Sequence, residues 1–293
     1  MKKTLAMMTA AMMVAGALAG CGSSSSTPAA TTAAATEAAS TAAATTEAAG
    51  DTAAAAEGSV KTPSGKFTVG FDQEFPPMGF VGDDGQFTGF DLDLAKEVAS
   101  RLGLEFVPQP INWDAKDMEL DSGNIDCIWN GFTMQGREDA YTWVGPYMAN
   151  NQVFVVNADS DIASKADLAG KAVEVQKDSS GLAALQDDAE LSASFGSMTE
   201  VADYNTALMD LESGACDAVC MDSIVAGYQI KSSGKDMKIL DDTLSAEEYG
   251  IGFKKGEDEL AKAVYDTLME MKDDGTVAKI SNDWFGSDVF TLK

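Results

Sequence analysis

The chain has 293 residues, 47 of them acidic against 20 basic, with four cysteines and no histidine, giving a formal charge of −27. That excess of carboxylates excludes nucleic acid and anionic lipid as partners of the folded part. The lack of histidine excludes a Cys/His zinc site and a histidine-based catalytic triad.

Residues 1–20 open with Lys2 and Lys3 and continue as an apolar run from Leu5 to Leu18, closed by Leu18-Ala19-Gly20-Cys21. A basic start, an apolar stretch of secretory length and small residues at its exit predict an export leader rather than a membrane helix. Small residues directly before Cys21 resemble the bacterial lipobox, in which that cysteine is lipidated and becomes the mature N-terminus. The alternative is plain secretion with an incidental cysteine. Residues 21–62 are almost wholly Ala, Thr, Ser and Glu, with Val60 as the one aliphatic side chain. Such a segment buries too little apolar surface to offset the entropy of ordering, and predicts a disordered linker. As a coil it spans roughly 35 Å on average.

After residue 62 short β-rich runs alternate with helical periodicity. The pattern predicts a strand at 66–71, a helix at 91–102, a strand at 104–107, a helix at 114–122 and a buried strand at 125–129. The alternation restarts with a strand at 171–176, helices at 181–188 and 205–213, a strand at 216–221, a helix at 223–231 and a strand at 238–240. A strand at 249–253 and a helix at 259–271 follow. Two successive βαβ runs imply two α/β units with parallel strands and helical crossovers.

Each unit carries one copy of a repeat, ELDSGNIDCIWNG at 119–131 and DLESGACDAVCMD at 210–222. In both, a helix stops at a glycine, Gly123 or Gly214, suited to a left-handed cap, and a buried strand follows. The shared letters read as scaffold. The strand ends differ, and open α/β sheets bind ligands beyond the carboxyl ends of their strands. Gly131 and Asp222 occupy equivalent ends.

Arg137 and Arg101 are the only arginines in the chain. Arg101 falls near a helix end, where a dipole contact or solvent suffices. Arg137 follows a strand end with amides and a hydroxyl nearby, a setting for gripping a carboxylate bidentately; a surface ion pair with Glu138 or Asp139 serves the residues equally well. Asp222 ends an apolar strand and needs a cation or several donors, or caps the helix from Ser223. The loop Lys177-Asp178-Ser179-Ser180-Gly181 is a candidate anion nest. Cys127, Cys216 and Cys220 read as buried free thiols.

Several ordered motifs resemble the polar amino-acid solute-binding proteins of ABC importers, family 3. They are Val69-Gly70-Phe71-Asp72-Gln73-Glu74-Phe75-Pro76-Pro77-Met78, Gly89-Phe90-Asp91-Leu92-Asp93-Leu94-Ala95, Ser122-Gly123-Asn124-Ile125-Asp126, Arg137 to Pro146-Tyr147, and the closing Asp274-Gly275-Thr276 and Trp284-Phe285-Gly286. The resemblance implies a periplasmic-binding-protein-like α/β fold, with two lobes joined by a two-strand hinge and a ligand cleft between them. Lobe 1 would comprise residues 63–150 and 247–293, and lobe 2 residues 151–246. It implies that Arg137 pairs with the α-carboxylate of an amino acid, helped by Thr133, Gly131, Ser179 and Ser180. Asp222 and the Gly131 carbonyl would take the α-ammonium. Asp72, Phe75 and Trp113 would line the side-chain pocket, with Glu74, Asn130, Gln176 and Met221 as further contacts. The chain departs from the family in a segment from Thr133 to Arg137 that is one residue shorter, in Lys-Asp-Ser-Ser where a glycine is common, and in Met221 where a polar residue stands.

The function so implied is capture of an amino acid by lobe closure and delivery to a membrane permease, by a monomer held outside the cell membrane through lipidated Cys21. No cofactor and no metal are implied. Asp72 and Glu74 leave spare negative charge, which favours a polar or cationic side chain. The competing readings are an exported cyclohexadienyl-dehydratase-like enzyme on the same fold, with Glu74 and Asp72 as acid and base, and an amino-acid sensing module.

Overall fold

The computed structural model describes residue 62 and residues 64–293; the expected leader, Cys21 and all of the expected linker but Thr62 lie outside the described residues. In chain order the elements are β1 (Lys66–Phe71), β2 (Glu74–Phe75), β3 (Gly79–Val81), β4 (Phe87–Thr88), α1 (Phe90–Leu102), β5 (Glu105–Pro110) and a 3₁₀ turn (Trp113–Ala115). Next come α2 (Lys116–Asp121), β6 (Cys127–Thr133), β7 (Thr142–Asn157), a second 3₁₀ turn (Lys165–Leu168), β8 (Ala172–Gln176), α3 (Ser180–Asp187), α4 (Ala189–Ser194) and β9 (Ser197–Val201). The chain closes with α5 (Tyr204–Ser213), β10 (Ala218–Asp222), α6 (Ser223–Ser233), β11 (Met237–Phe253), α7 (Asp258–Asp273) and α8 (Thr276–Phe285).

Eight strands form one sheet in the order β5-β1-β6-β11-β7-β10-β8-β9. Its two ends are parallel: β1 pairs with β5 and β6, and β8 pairs with β10 and β9. Between them β7 and β11 run antiparallel, from Met237 opposite Asn157 to Phe253 opposite Thr142. These two strands connect the α/β halves, as the resemblance implies. In each half apolar side chains are buried on both faces of the strands: Val69 and Trp129 pack with α1, while Ile128 and Phe132 form a second cluster with Leu120 and Tyr141. Val173, Val175 and Cys220 pack likewise with Leu182 and Leu185 of α3.

Local chemistry explains most boundaries. Helix α1 carries Asp91 and Asp93 in its first turn and Arg101 in its last, and ends at Gly103 with φ +70°, which suits both the helix dipole and a left-handed cap. Gly123 and Gly214 also adopt positive φ, as the repeat predicts. Arg101 does more than meet a dipole. It binds Glu97 at 2.8 Å, Asp274 at 2.7 Å and the Thr276 hydroxyl at 2.9 Å, tying α1 to the start of α8.

Four differences from the sequence reading have physical causes. Strand β6 runs on to Thr133 because its last residues pair with β11, so Asn130-Gly131-Phe132-Thr133 lies in the strand rather than beyond it. The strands expected at 238–240 and 249–253 are the ends of one strand, whose polar middle pairs with β7 through register shifts. Periodicity did not predict strand β7, whose pattern mixes polar and apolar positions, and only the resemblance implies a second connecting strand. Edge strand β9 is mostly exposed, and Met198 and Val201 are its only apolar residues.

Asp91 binds the two layers of the first half. Its Oδ2 accepts from the Gly131 amide at 2.7 Å and the Tyr147 hydroxyl at 2.9 Å, inside the core. Asp91→Ala would leave two buried donors without an acceptor, and is expected to cost about 2–4 kcal/mol. Urea denaturation of the variant against the parent measures that loss.

Candidate functional site

Strands β6, β8 and β10 end at the same gap between the halves. From the first half, Phe75, Trp113, Gly131, Thr133 and Arg137 face it; from the second come Gln176, Ser179, Ser180 and Asp222. Together these nine residues line a narrow cavity of about 10 Å³, where the two halves meet closely. The wall is rigidly packed. Trp113 meets Phe132 edge-on, with ring centroids 5.5 Å apart, and Gly131 sits at φ +54° where a Cβ would lie 2.9 Å from Phe75 Cε1. Only glycine lets the strand backbone approach that closely.

Arg137 stands in the turn after β6, its guanidinium 5.1 Å from the Phe132 ring centre. Its Nη1 donates to the Thr133 carbonyl at 3.2 Å and its Nη2 to the Asp178 carbonyl at 3.3 Å. Among the described residues it forms no ion pair with Glu138, Asp139 or any other carboxylate. Ser179 caps α3 by accepting from the Leu182 amide at 3.1 Å. Thr133 donates to the Ser180 hydroxyl at 3.2 Å across the gap.

Asp222 is buried at the end of β10 and does not cap α6 with its side chain. Its Oδ1 accepts from Asn150 Nδ2 at 2.8 Å and from the Tyr249 hydroxyl at 2.6 Å, and its Oδ2 from the Tyr204 hydroxyl at 3.0 Å. Asn150 Nδ2 also reaches Glu247 Oε1 at 2.6 Å, and Gln152 Nε2 donates to the same oxygen at 3.0 Å and to Ser180 at 3.1 Å. Burial, and then the neighbouring Glu247 carboxylate, push the Asp222 carboxyl up to about 8. Sequence reasoning missed Asn150, Gln152, Tyr204, Glu247 and Tyr249. All but Tyr204 lie on β7 and β11, where recognising the crossing strands would have pointed to them.

Other expected residues stand apart from the cavity. Asp72 is held by Gln176 Nε2 at 2.7 Å and by the Glu74 amide at 2.9 Å, and burial raises its carboxyl to about 6. Glu74 takes a hydrogen bond from Asn205 across the gap. Both line a wider recess of about 960 Å³ that shares Trp113 with the cavity. Asn130 and Met221, expected as side-chain contacts, do not line the cavity. Asn130 Oδ1 accepts from the Asp72 amide, and strand alternation turns Met221 into the core. Cys127, Cys216 and Cys220 are free and buried, and burial lifts the Cys216 thiol to about 12. Among the described residues no group of three or more Cys, Asp or Glu side chains is arranged to hold a metal ion.

The profile of the bacterial extracellular solute-binding proteins, family 3, matches residues 67–287. The chain is 32% identical over 231 residues to the L-cystine-binding protein TcyJ of Escherichia coli, covering 77% of this chain and 84% of that protein. It is also 32% identical over 229 residues to the L-cystine-binding protein TcyA of Bacillus subtilis, covering 77% and 83%. Among solved structures, a substrate-binding protein of an ABC uptake transporter from Streptococcus pneumoniae with bound histidine superposes with a TM-score of 0.75 at 34% identity, covering 78% of this chain and 95% of that one. An ancestral arginine-binding protein bound to arginine gives 0.71 at 36% identity, covering 76% and 99%.

A carboxyl raised to about 8 stabilises the fold below its unfolded value near 4, and that contribution is lost as pH rises toward 8. Asp222→Asn keeps the acceptor for Asn150 and Tyr249 and removes the buried charge. The ligand-free variant is therefore expected to melt higher than the parent at pH 8 and level with it at pH 4, as thermal unfolding at the two pH values measures.

Proposed function

The chain belongs to the bacterial extracellular solute-binding proteins, family 3, and from that premise we propose that it captures a free amino acid between its halves and presents it to the permease of an ABC importer. One observation carries the reading: Arg137 from the first half and Asp222 from the second line the same narrow cavity. A zwitterion offers one group to each. Arg137 would hold the α-carboxylate with Thr133 and the Ser179 and Ser180 amides and hydroxyls, and Asp222 would hold the α-ammonium with the Gly131 carbonyl. Two charge-assisted anchors of about 1.5–3 kcal/mol each, with neutral donors added, approach the roughly −8 kcal/mol of a micromolar complex.

Phe75 and Trp113 would flank the ligand's stem, and the recess containing Asp72 and Glu74 would receive a polar or cationic end. Because the ligand touches both halves it favours their closed arrangement, which a permease can read. The lobes would divide at Asn150 and Glu247, the facing residues on β7 and β11, giving 63–150 with 247–293 and 151–246. Lipidation of Cys21 would hold the monomer outside the cell membrane. The reading is of a binding protein and not an enzyme. Asp72 has a raised carboxyl, as an acid catalyst requires, but its oxygens are engaged by Gln176 and Glu74 and it does not line the cavity shared by Arg137 and Asp222.

A thermal-shift panel of the twenty amino acids with cystine and ornithine tests this. Cystine, arginine or another polar or cationic amino acid is expected to stabilise the parent, and Arg137→Ala to remove the shift with no loss of ligand-free stability. Asp222→Asn should lose the shift although it melts higher at pH 8. Stabilisation by aspartate or glutamate alone would contradict the charge argument, and an undiminished shift in either variant would contradict the site.

A further inference from the structure

The loop from β8 to α3 contains the one non-glycine residue with positive φ among the described residues, Asp178 at +55°. L-residues are disfavoured there, and aspartate less than most. Opposite it, Lys116 is 2% exposed, although it begins α2, where burial and the positive end of the helix both disfavour an ammonium. Two local preferences are thus violated on facing sides of the cleft, a pattern that marks function more often than packing.

Each violation is compensated by the other. The Asp178 carboxylate binds Lys116 Nζ directly, and its carbonyl accepts from Lys116 Nζ at 3.4 Å and from Arg137 Nη2 at 3.3 Å. Lys116 also donates to the Trp113 carbonyl at 3.5 Å and lies 5.2 Å from the centre of that ring. One residue of the second half therefore grips both cations of the first half that border the site, and one of those cations backs the cavity's tryptophan wall. The left-handed backbone is what aims the Asp178 carbonyl and carboxylate at the same pair.

We propose that Asp178, with Lys116, is a clasp that holds the cleft closed and positions Arg137 and Trp113, so that closure does not depend on the ligand alone. The clasp slows both entry and release of ligand. Lys177, next in the loop, adds a second tie across the gap to Asp114 at 2.6 Å, but both partners are well exposed and contribute little. The proposal rests on reading the cleft as one that opens and closes around an amino acid, while its main test needs no ligand.

Asp178→Gly separates a clasp from a structural loop, because glycine accepts the backbone angle and removes the carboxylate. Ligand-free Asp178→Gly is expected to melt at or above the parent temperature while its radius of gyration in solution scattering rises. Lys116→Met, made from the other side, should open the cleft likewise, and Asp178→Asn should fall between. Stopped-flow tryptophan fluorescence with L-arginine as probe should show association about tenfold faster in Asp178→Gly, with dissociation faster too. An Asp178→Gly protein that scatters like the parent overturns the clasp, whether or not its melting temperature falls. If no amino acid binds the parent, the amino-acid reading fails and the scattering result still decides the clasp.

Discussion

A carboxyl group shut away from water is costly to ionise without a cation, and the chain surrounds Asp222 with neutral donors only: one amide and two phenols. Charge-assisted hydrogen bonds orient it, yet none supplies a positive charge, and Glu247 beside it makes the cost larger. A fold selected for stability alone would place an asparagine or an apolar residue there. The cost makes sense if an ammonium arrives from outside, and the guanidinium of Arg137, free of carboxylate partners among the described residues, poses the complementary problem across the same cavity.

The antiparallel ribbon of β7 and β11 connects the halves that carry the two charges. Asn150 and Glu247 face each other in that ribbon, and the Asn150 amide joins both of their strands to Asp222. The proposed ammonium site would therefore be built partly on the connecting strands themselves. On the proposed reading, a ligand charge that alters the hydrogen bonds of Asp222 would act directly on the strands that connect the halves. On the Arg137 side of the cavity Asp178 ties the β8–α3 loop to Lys116 at the start of α2.

Much of this was legible in the sequence because it depends on local signals. The parallel halves followed from apolar runs alternating with helical periodicity, and the repeat located Gly131 and Asp222 because a glycine stop and a buried strand precede each. The two strands at the centre were harder to read. Strand β11 has a polar middle, and β7 mixes faces because both its edges are paired, so neither shows a simple period of two. Periodicity alone gave Asn150, Gln152 and Glu247 no role. Lys116 carried no signal in the sequence, since nothing local announces that Asp178 will reach it from 62 positions away. Met221 was assigned to the ligand by position in a family pattern, and strand alternation sends it into the core instead.

The central claim is that one molecule satisfies Arg137 and Asp222 together, and calorimetric titration with three related compounds tests it most directly. These are the amino acid that stabilises the protein most, the amine left when its carboxylate is removed, and the acid left when its amino group is removed. The account predicts that each truncated compound binds at least about 100-fold more weakly than the parent amino acid, a loss of roughly 2.7 kcal/mol or more. Binding of either truncated compound with the affinity of the intact amino acid would contradict it.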